Sequence, residues 1–469
     1  MATREFPLES EPTTPVDTPH RRVRTPIPVP ESLPLLKQLR QMEPRSMGGQ
    51  PPIIWHHGRG ANIFDPYGNM FLDFSAGVLV TASGHGHPRI AAAIADMAGQ
   101  GLYHAYCFPT QVRLALVTRL TAMLPPPLAR VFLLTTGSEA VECCLKLART
   151  HGLAVGGPGK RTIVSFDNGF HGRTMGSQAA GGSPGGKAWL GGDLADRFVQ
   201  VPFPDGFRQK DLSFASFEEG LRRRQVRPED VCGVIAETYQ GCNATLMPAP
   251  YAQALRLWCD RHQAVMILDE IQAGFGRTGR RFGFEHLGGA PNRDESRLGT
   301  PVVPDLVACG KGLGGGMPIS AVLGRDDLMN YYGPGEMTST HSANPVCCAA
   351  SLANLDVIEQ ERLIENAAAL APVLAEGARR IQAAAGGAIA HTASAGLVAA
   401  LQFCKPGTTE PDPEPAWRLT WECVKRGIML FAPVGVGGSA IKINPPLVIR
   451  RDALEEGLAV MVEACRELH

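Results

Sequence analysis

Excess charge of either sign, long apolar runs and CxxC pairs are all missing from this chain. Lys plus Arg and Asp plus Glu both total 45 over 469 residues, so there is no global positive field of the kind that gathers nucleic acid or acidic membranes. No stretch approaches the roughly 18 uninterrupted apolar residues of a membrane-crossing helix, and the first residues lack the apolar centre of a signal peptide. The expectation is a cytoplasmic protein acting on small, discrete ligands. Of the 12 cysteines, Cys143-Cys144 and Cys347-Cys348 are adjacent pairs. Neighbours on a helix point about 100° apart and a chain of this size needs no disulfide staple, so reduced core cysteines are expected. His85-Gly86-His87 has no matching Cys or carboxylate set, which favours a loop or packing role and no metal.

What is present is a globular composition, 44% hydrophobic and 19% charged, at a length that suits two or three domain-sized units. Residues 1–50 are rich in Pro and charge, with a basic cluster at Arg21, Arg22 and Arg24, and read as an amino-terminal arm. Glu5, Glu9, Glu11 and Asp17 oppose a mitochondrial transit peptide, which is poor in acids. The stretch GANIFDPYGNMFLDF carries a hairpin signal at Pro-Tyr-Gly-Asn. From Val131 onward short apolar runs alternate with helical segments: VFLLT, RTIVSF, FVQVPF, VCGVIAE, VMILDE, LVACG and ISAVLG. That alternation predicts an α/β domain with a mainly parallel sheet flanked by helices, spanning 91–348. A long Ala-rich helix pattern to about Gly387, then AGLVAALQF and AIKINPPLVI, predicts a smaller α+β domain from 349–469, joined by 51–90. Leu287 to Thr300 is polar and reads as a surface insertion.

Two of the buried runs end in chemistry. Asp269 closes VMILD, and Lys311 follows LVACG among Gly310, Gly312, Gly314, Gly315 and Gly316. Ligands of such sheets sit outside the carboxyl ends of the strands, so this acid and this amine should face one crevice. Pyridoxal phosphate asks for that pair: a lysine to hold it covalently, and an acid to keep its pyridine nitrogen protonated as an electron sink. The glycines leave room for a planar group.

Around that pair, the motifs resemble those of the class III, or omega, aminotransferases, pyridoxal phosphate enzymes of fold type I, in the family's order from about Pro51 to the carboxyl terminus. TTGSEAVECCLKLAR opens a helix whose free N–H groups suit a phosphate dianion, and the resemblance gives that role to Gly137 and Ser138. In FDNGFHGRT it assigns Phe170 to the pyridine face and brings His171 with it. It gives Gln272 the cofactor's phenolic oxygen and places Glu237 near the same pocket. In MTSTHSANPVCCAA it has Thr340 reach the cofactor phosphate of a second subunit, which requires a homodimer with composite sites.

The chain departs from that pattern where many glutamate-using members carry an arginine for the substrate carboxylate. Here the position is Lys442, which keeps the charge but loses the planar fork. The glutamate that gates this arginine in several members is Cys242. Both changes favour a smaller oxo acid such as pyruvate over 2-oxoglutarate, with an amine or ω-amino acid as donor. Tyr103, Tyr106 and Phe108 fall where the family lines its substrate entrance. The same cofactor also serves racemases or epimerases, and lyases or decarboxylases, so these alternatives stay open. Ser183 in GGSPGGKA matches GxSxG and Lys187 nearly matches a phosphate loop, but no strand precedes them and Ala188 lacks the needed hydroxyl.

Overall fold

A computed structural model describes residues 4–192, 197–288 and 301–467. Its contacts divide the chain into two compact units. One comprises Met1–His87, Cys242–Ala244 and Glu365–His469; the other comprises Pro88–Gly241 and Thr245–Ile364. Residues 289–300, most of the expected insertion, lie outside the described residues.

The second unit is built on a seven-stranded sheet. In chain order its strands are β1 (Leu128–Leu134), β2 (Thr162–Phe166), β3 (Phe198–Val201), β4 (Val231–Glu237), β5 (Val265–Asp269), β6 (Leu306–Cys309) and β7 (Ser320–Arg325). They are the seven apolar runs read from the sequence. Their order across the sheet is β1-β7-β6-β5-β4-β2-β3. Every pairing is parallel except the two made by β7, which runs antiparallel to β6 and β1. Strands β4, β5 and β6 are buried at every position, as expected for strands covered on both faces.

Helix α1 (Gly137–Gly156) covers one face, setting Ala140, Val141, Cys144, Leu147 and Ala148 against Ile163, Ile235, Ile267 and Val322. Its close approach needs Gly152, where a Cβ would stand 2.3 Å from that of Cys232. Cys143 and Cys144 are both buried on this helix, and none of the twelve cysteines, all of them described residues, is in a disulfide.

The Ala-rich pattern after Asn344-Pro345 is not one helix. It forms α2 (Pro345–Gln360) and α3 (Leu363–Ala384), separated where Arg362 takes a φ of 54°. Helix α2 packs on the helices Pro88–Gly99 and Gln111–Thr121, so the contacts carry 349–364 with the larger unit, not with the smaller one as the sequence suggested.

In the first unit the expected hairpin forms, with Asn62–Phe64 antiparallel to Met70–Asp73. Residues 1–50 were expected to form an arm that packs on a neighbour or stays partly disordered; the described part contributes core to its own unit. Arg22 pairs with Met70, and Phe6, Val23, Ile27 and Val29 are buried with Phe71, Trp421 and Val424. The apolar side chains of this Pro-rich stretch explain why it packs, since left in water they would forgo about 25 cal/mol per Å² of buried apolar area. A second, three-stranded sheet joins Ile389–Ser394, Ala399–Phe403 and Ala440–Ile443. His85 is a satisfied core histidine, its Nε2 lying 2.7 Å from Asp73 Oδ2. No group of ligands suited to a metal occurs among the described residues.

Candidate active site

The carboxyl ends of the parallel strands and of β1 deliver side chains to one cleft of about 300 Å³ in the second unit. From β1 the chain turns through Thr136 into α1. The turn is held by a capping box in which Thr136 Oγ1 accepts from Glu139 N (3.3 Å) and Glu139 Oε2 accepts from Thr136 N (2.8 Å), a motif worth about 1 kcal/mol. With the N–H of Glu139 engaged, those of Gly137 and Ser138 are left at the cleft, where the partial positive charge of the helix start favours an anion. Strand β2 leads to Phe170 and His171, β5 ends in Asp269, and β6 leads to Lys311, which itself adopts φ 41°. A non-glycine residue in that region carries strain of about 1–3 kcal/mol.

The site's polar groups are interlocked. His171 donates through Nδ1 to Asp269 Oδ2 (2.8 Å), while Asp269 Oδ1 accepts from Ile271 N (3.0 Å). Burial by itself would lower the pKa of His171, but the hydrogen bond and charge of Asp269, with Glu237, outweigh it and the net shift is upward. Glu237 accepts from Phe170 N (3.1 Å) and Gly241 N (2.8 Å). Burial pushes this carboxyl up to about 7, partly offset by His171. Lys311 is half-buried, and desolvation at the floor of the cleft lowers the pKa of its amine against the opposing pull of Asp269 and Glu237. A lowered amine pKa is what a nucleophilic, proton-moving lysine needs near neutrality.

Of the residues expected from the sequence, Gly137, Ser138, Phe170, His171, Asp269, Gln272 and Lys311 line this cleft. Glu237 stands behind it, bonded to the backbone of Phe170. Tyr106 and Thr340 belong to the same unit but do not line the cleft: the Tyr106 hydroxyl lies 3.0 Å from Thr338 Oγ1, and Thr340 is exposed. Tyr103 and Phe108 are also exposed. Cys242 and Lys442 are buried members of the first unit. Four lining residues were not anticipated: Thr136, Gly172, Arg173 and Ile271. Each adjoins a motif already read, and spacing alone does not say which side of a turn faces the ligand. Ser183 and Lys187 form no phosphate loop; Lys187 Nζ donates to Gln200 Oε1 (2.5 Å) in a short 3-10 turn.

The family model for class III aminotransferases matches residues 45–465. The chain belongs to that family. A 2-aminoadipate transaminase of Pseudomonas putida is 33% identical over 424 residues, covering 89% of this chain and 97% of that one. A 4-aminobutyrate aminotransferase of Mycobacterium leprae is 31% identical over 453 residues, covering 94% and 97%. Among solved structures, the ornithine aminotransferase of Toxoplasma gondii superposes with a TM-score of 0.77 at 26% identity, covering 92% of this chain and 94% of that one.

This class III aminotransferase is thus a pyridoxal 5′-phosphate enzyme of fold type I, and its cleft fits that cofactor. Gly172, at φ 136°, keeps open the space beside Ser138, because a Cβ there would lie 2.4 Å from Ser138 Oγ. A buried acid, Asp269, and a half-buried amine, Lys311, are the kinds of group that a pyridine nitrogen and an aldehyde call for.

Proposed function

We propose that this aminotransferase moves an amino group from an amine or ω-amino acid to a 2-oxo acid in a ping-pong cycle, and that it favours pyruvate over 2-oxoglutarate. The observation that carries the site assignment is the shared cleft of Asp269 and Lys311. Bound pyridoxal 5′-phosphate supplies an electron sink that makes the proton on the substrate's amino-bearing carbon labile.

The chain's own residues do the rest. Lys311 Nζ takes that proton and returns one at the next stage, a task suited to an amine with a lowered pKa. Asp269, oriented by His171 and by the N–H of Ile271, would pair with the ring nitrogen and keep it protonated. Glu237 fixes the backbone of Phe170, whose ring would cover one face of the pyridine. The start of α1, with Gly137 and Ser138, would hold the phosphate, Gln272 would meet the phenolic oxygen, and Thr340 of a second copy would complete the phosphate site in a homodimer. The cytoplasm suits this chemistry and its reduced cysteines.

Donor choice is supported by relatives named for 4-aminobutyrate and 5-aminovalerate, both ω-amino acids. Acceptor choice rests on Lys442 and Cys242, the substitutions that remove a planar carboxylate fork and its gate. The test is a half-reaction experiment. The holoenzyme is first converted with 4-aminobutyrate or 5-aminovalerate while the cofactor absorbance is followed, and the absorbance is then restored with each oxo acid. Pyruvate is expected to show a second-order rate at least about tenfold above 2-oxoglutarate, the scale of one lost charge-assisted hydrogen bond. Equal rates would sink the acceptor assignment and leave the donor class standing.

A further inference from the structure

Phe170, His171, Gly172 and Arg173 all reach the cleft from one irregular segment between β2 and the short helix Met175–Ala180. One end of that segment is tied to the sheet. What holds the other end is a carboxylate outside the cleft lining. Glu142 Oε1 accepts from Gly176 N (2.8 Å), Ser177 N (3.0 Å) and Thr174 Oγ1 (2.5 Å). The fit is close, since a Cβ on Gly176 would stand 2.4 Å from Glu142 Oε2.

Glu142 lies four residues after Ser138 on α1, so the two side chains share one face of the helix, a turn apart. Ser138 Oγ accepts from Arg173 N at 3.4 Å, which leaves its own hydrogen for an anion. The two side chains form successive rungs: Ser138 meets the segment at Gly172 and Arg173, and Glu142 grips it at Thr174, Gly176 and Ser177. A carboxylate taking three donors at a helix start binds more firmly than the serine contact, being charge-assisted and aligned with the helix dipole.

We infer that Glu142 is a positioning residue for the cofactor. Its carboxylate clasps the Phe170–Ser177 segment to α1, and so sets the distance between the ring-covering Phe170 and the phosphate-holding Gly137 and Ser138. The inference rests on this cleft being the cofactor site.

Two readouts test it. In Glu142→Ala, titration of apoenzyme with pyridoxal 5′-phosphate should give a dissociation constant raised about tenfold to a hundredfold, with the donor KM at saturating cofactor within about twofold of wild type. Hydrogen exchange of apoenzyme should show the amides of Gly176 and Ser177 losing protection. Glu142→Gln keeps one acceptor oxygen and no charge, so its affinity should fall about threefold to tenfold, between wild type and alanine. It serves as the reading if the alanine variant does not fold. Wild-type affinity in either variant, or unchanged exchange at Gly176 and Ser177, would overturn the clasp. Failure of the site assignment has its own signature: borohydride reduction of wild-type holoenzyme followed by peptide mapping would label a lysine other than Lys311.

Discussion

Two glutamates flank Asp269 and titrate near neutrality. Glu270 accepts from Gly283 N (2.6 Å), Phe284 N (2.9 Å) and the Thr238 hydroxyl. Burial nevertheless raises its pKa from the ordinary 4.5 to about 7, against the lowering effect of those three donors. Between pH 4.5 and 7 the folded protein therefore holds a proton that the unfolded chain has released, so stability falls as pH rises through that window. The full loss, roughly 3 kcal/mol for one carboxyl, is reached above pH 7. Glu270→Gln stays neutral at every pH and should remove this part of the slope. Melting curves should then show the variant gaining on wild type by several degrees between pH 5 and pH 8. Parallel curves for the two proteins would contradict the raised pKa.

Among elements, the junction of β1 with α1 and the segment after β2 meet at Gly172. Its φ of 136° is open to glycine, and an added Cβ would press on Ser138 Oγ at 2.4 Å and Ser177 Oγ at 2.5 Å. The two hydroxyls can swing away by side-chain rotation, but the Ser177 Cβ, 2.9 Å from the added carbon, cannot, and it sits at a helix start. Gly172→Ala is expected to weaken cofactor binding by about tenfold or more, the consequence of roughly 1–3 kcal/mol of strain. Spectral titration measures it, and a melting temperature of the apoenzyme close to wild type would place the damage in the site. If the variant binds cofactor with wild-type affinity, the packing of this segment on Ser138 is not what shapes the phosphate end.

At the scale of the whole molecule, the proposed dimer makes a prediction that no single subunit can satisfy. If Thr340 serves the site of a second copy, a hybrid of one Lys311→Ala subunit and one Thr340→Ala subunit contains one intact site, formed by Lys311 of the second and Thr340 of the first. Mixing the two weakly active variants under conditions of subunit exchange should then recover activity, approaching one quarter of wild type for random pairing, in which about half the dimers are hybrids with one working site of two. Recovery would identify the composite site. No recovery, with exchange verified by tagged subunits, would return Thr340 to its own subunit's site or to a surface role.

By itself the sequence determined the inventory: seven apolar runs became seven strands, because a strand buried on both faces must be apolar along its length whichever neighbour it takes. Asp269 and Lys311 were legible for the same reason, each standing where such a run stops. Strand order, and the reversal of β7 between β6 and β1, were decided only by the tertiary structure, since pairing depends on crossovers that local composition does not record. The bond from His171 to Asp269 spans 98 positions in the chain, and it exists because β2 and β5 are both neighbours of β4. The grip of Glu142 on Thr174, Gly176 and Ser177 is of the same kind. The acid could be placed on the Ser138 face of α1 from spacing alone, but only the fold brings the start of a second helix within its reach.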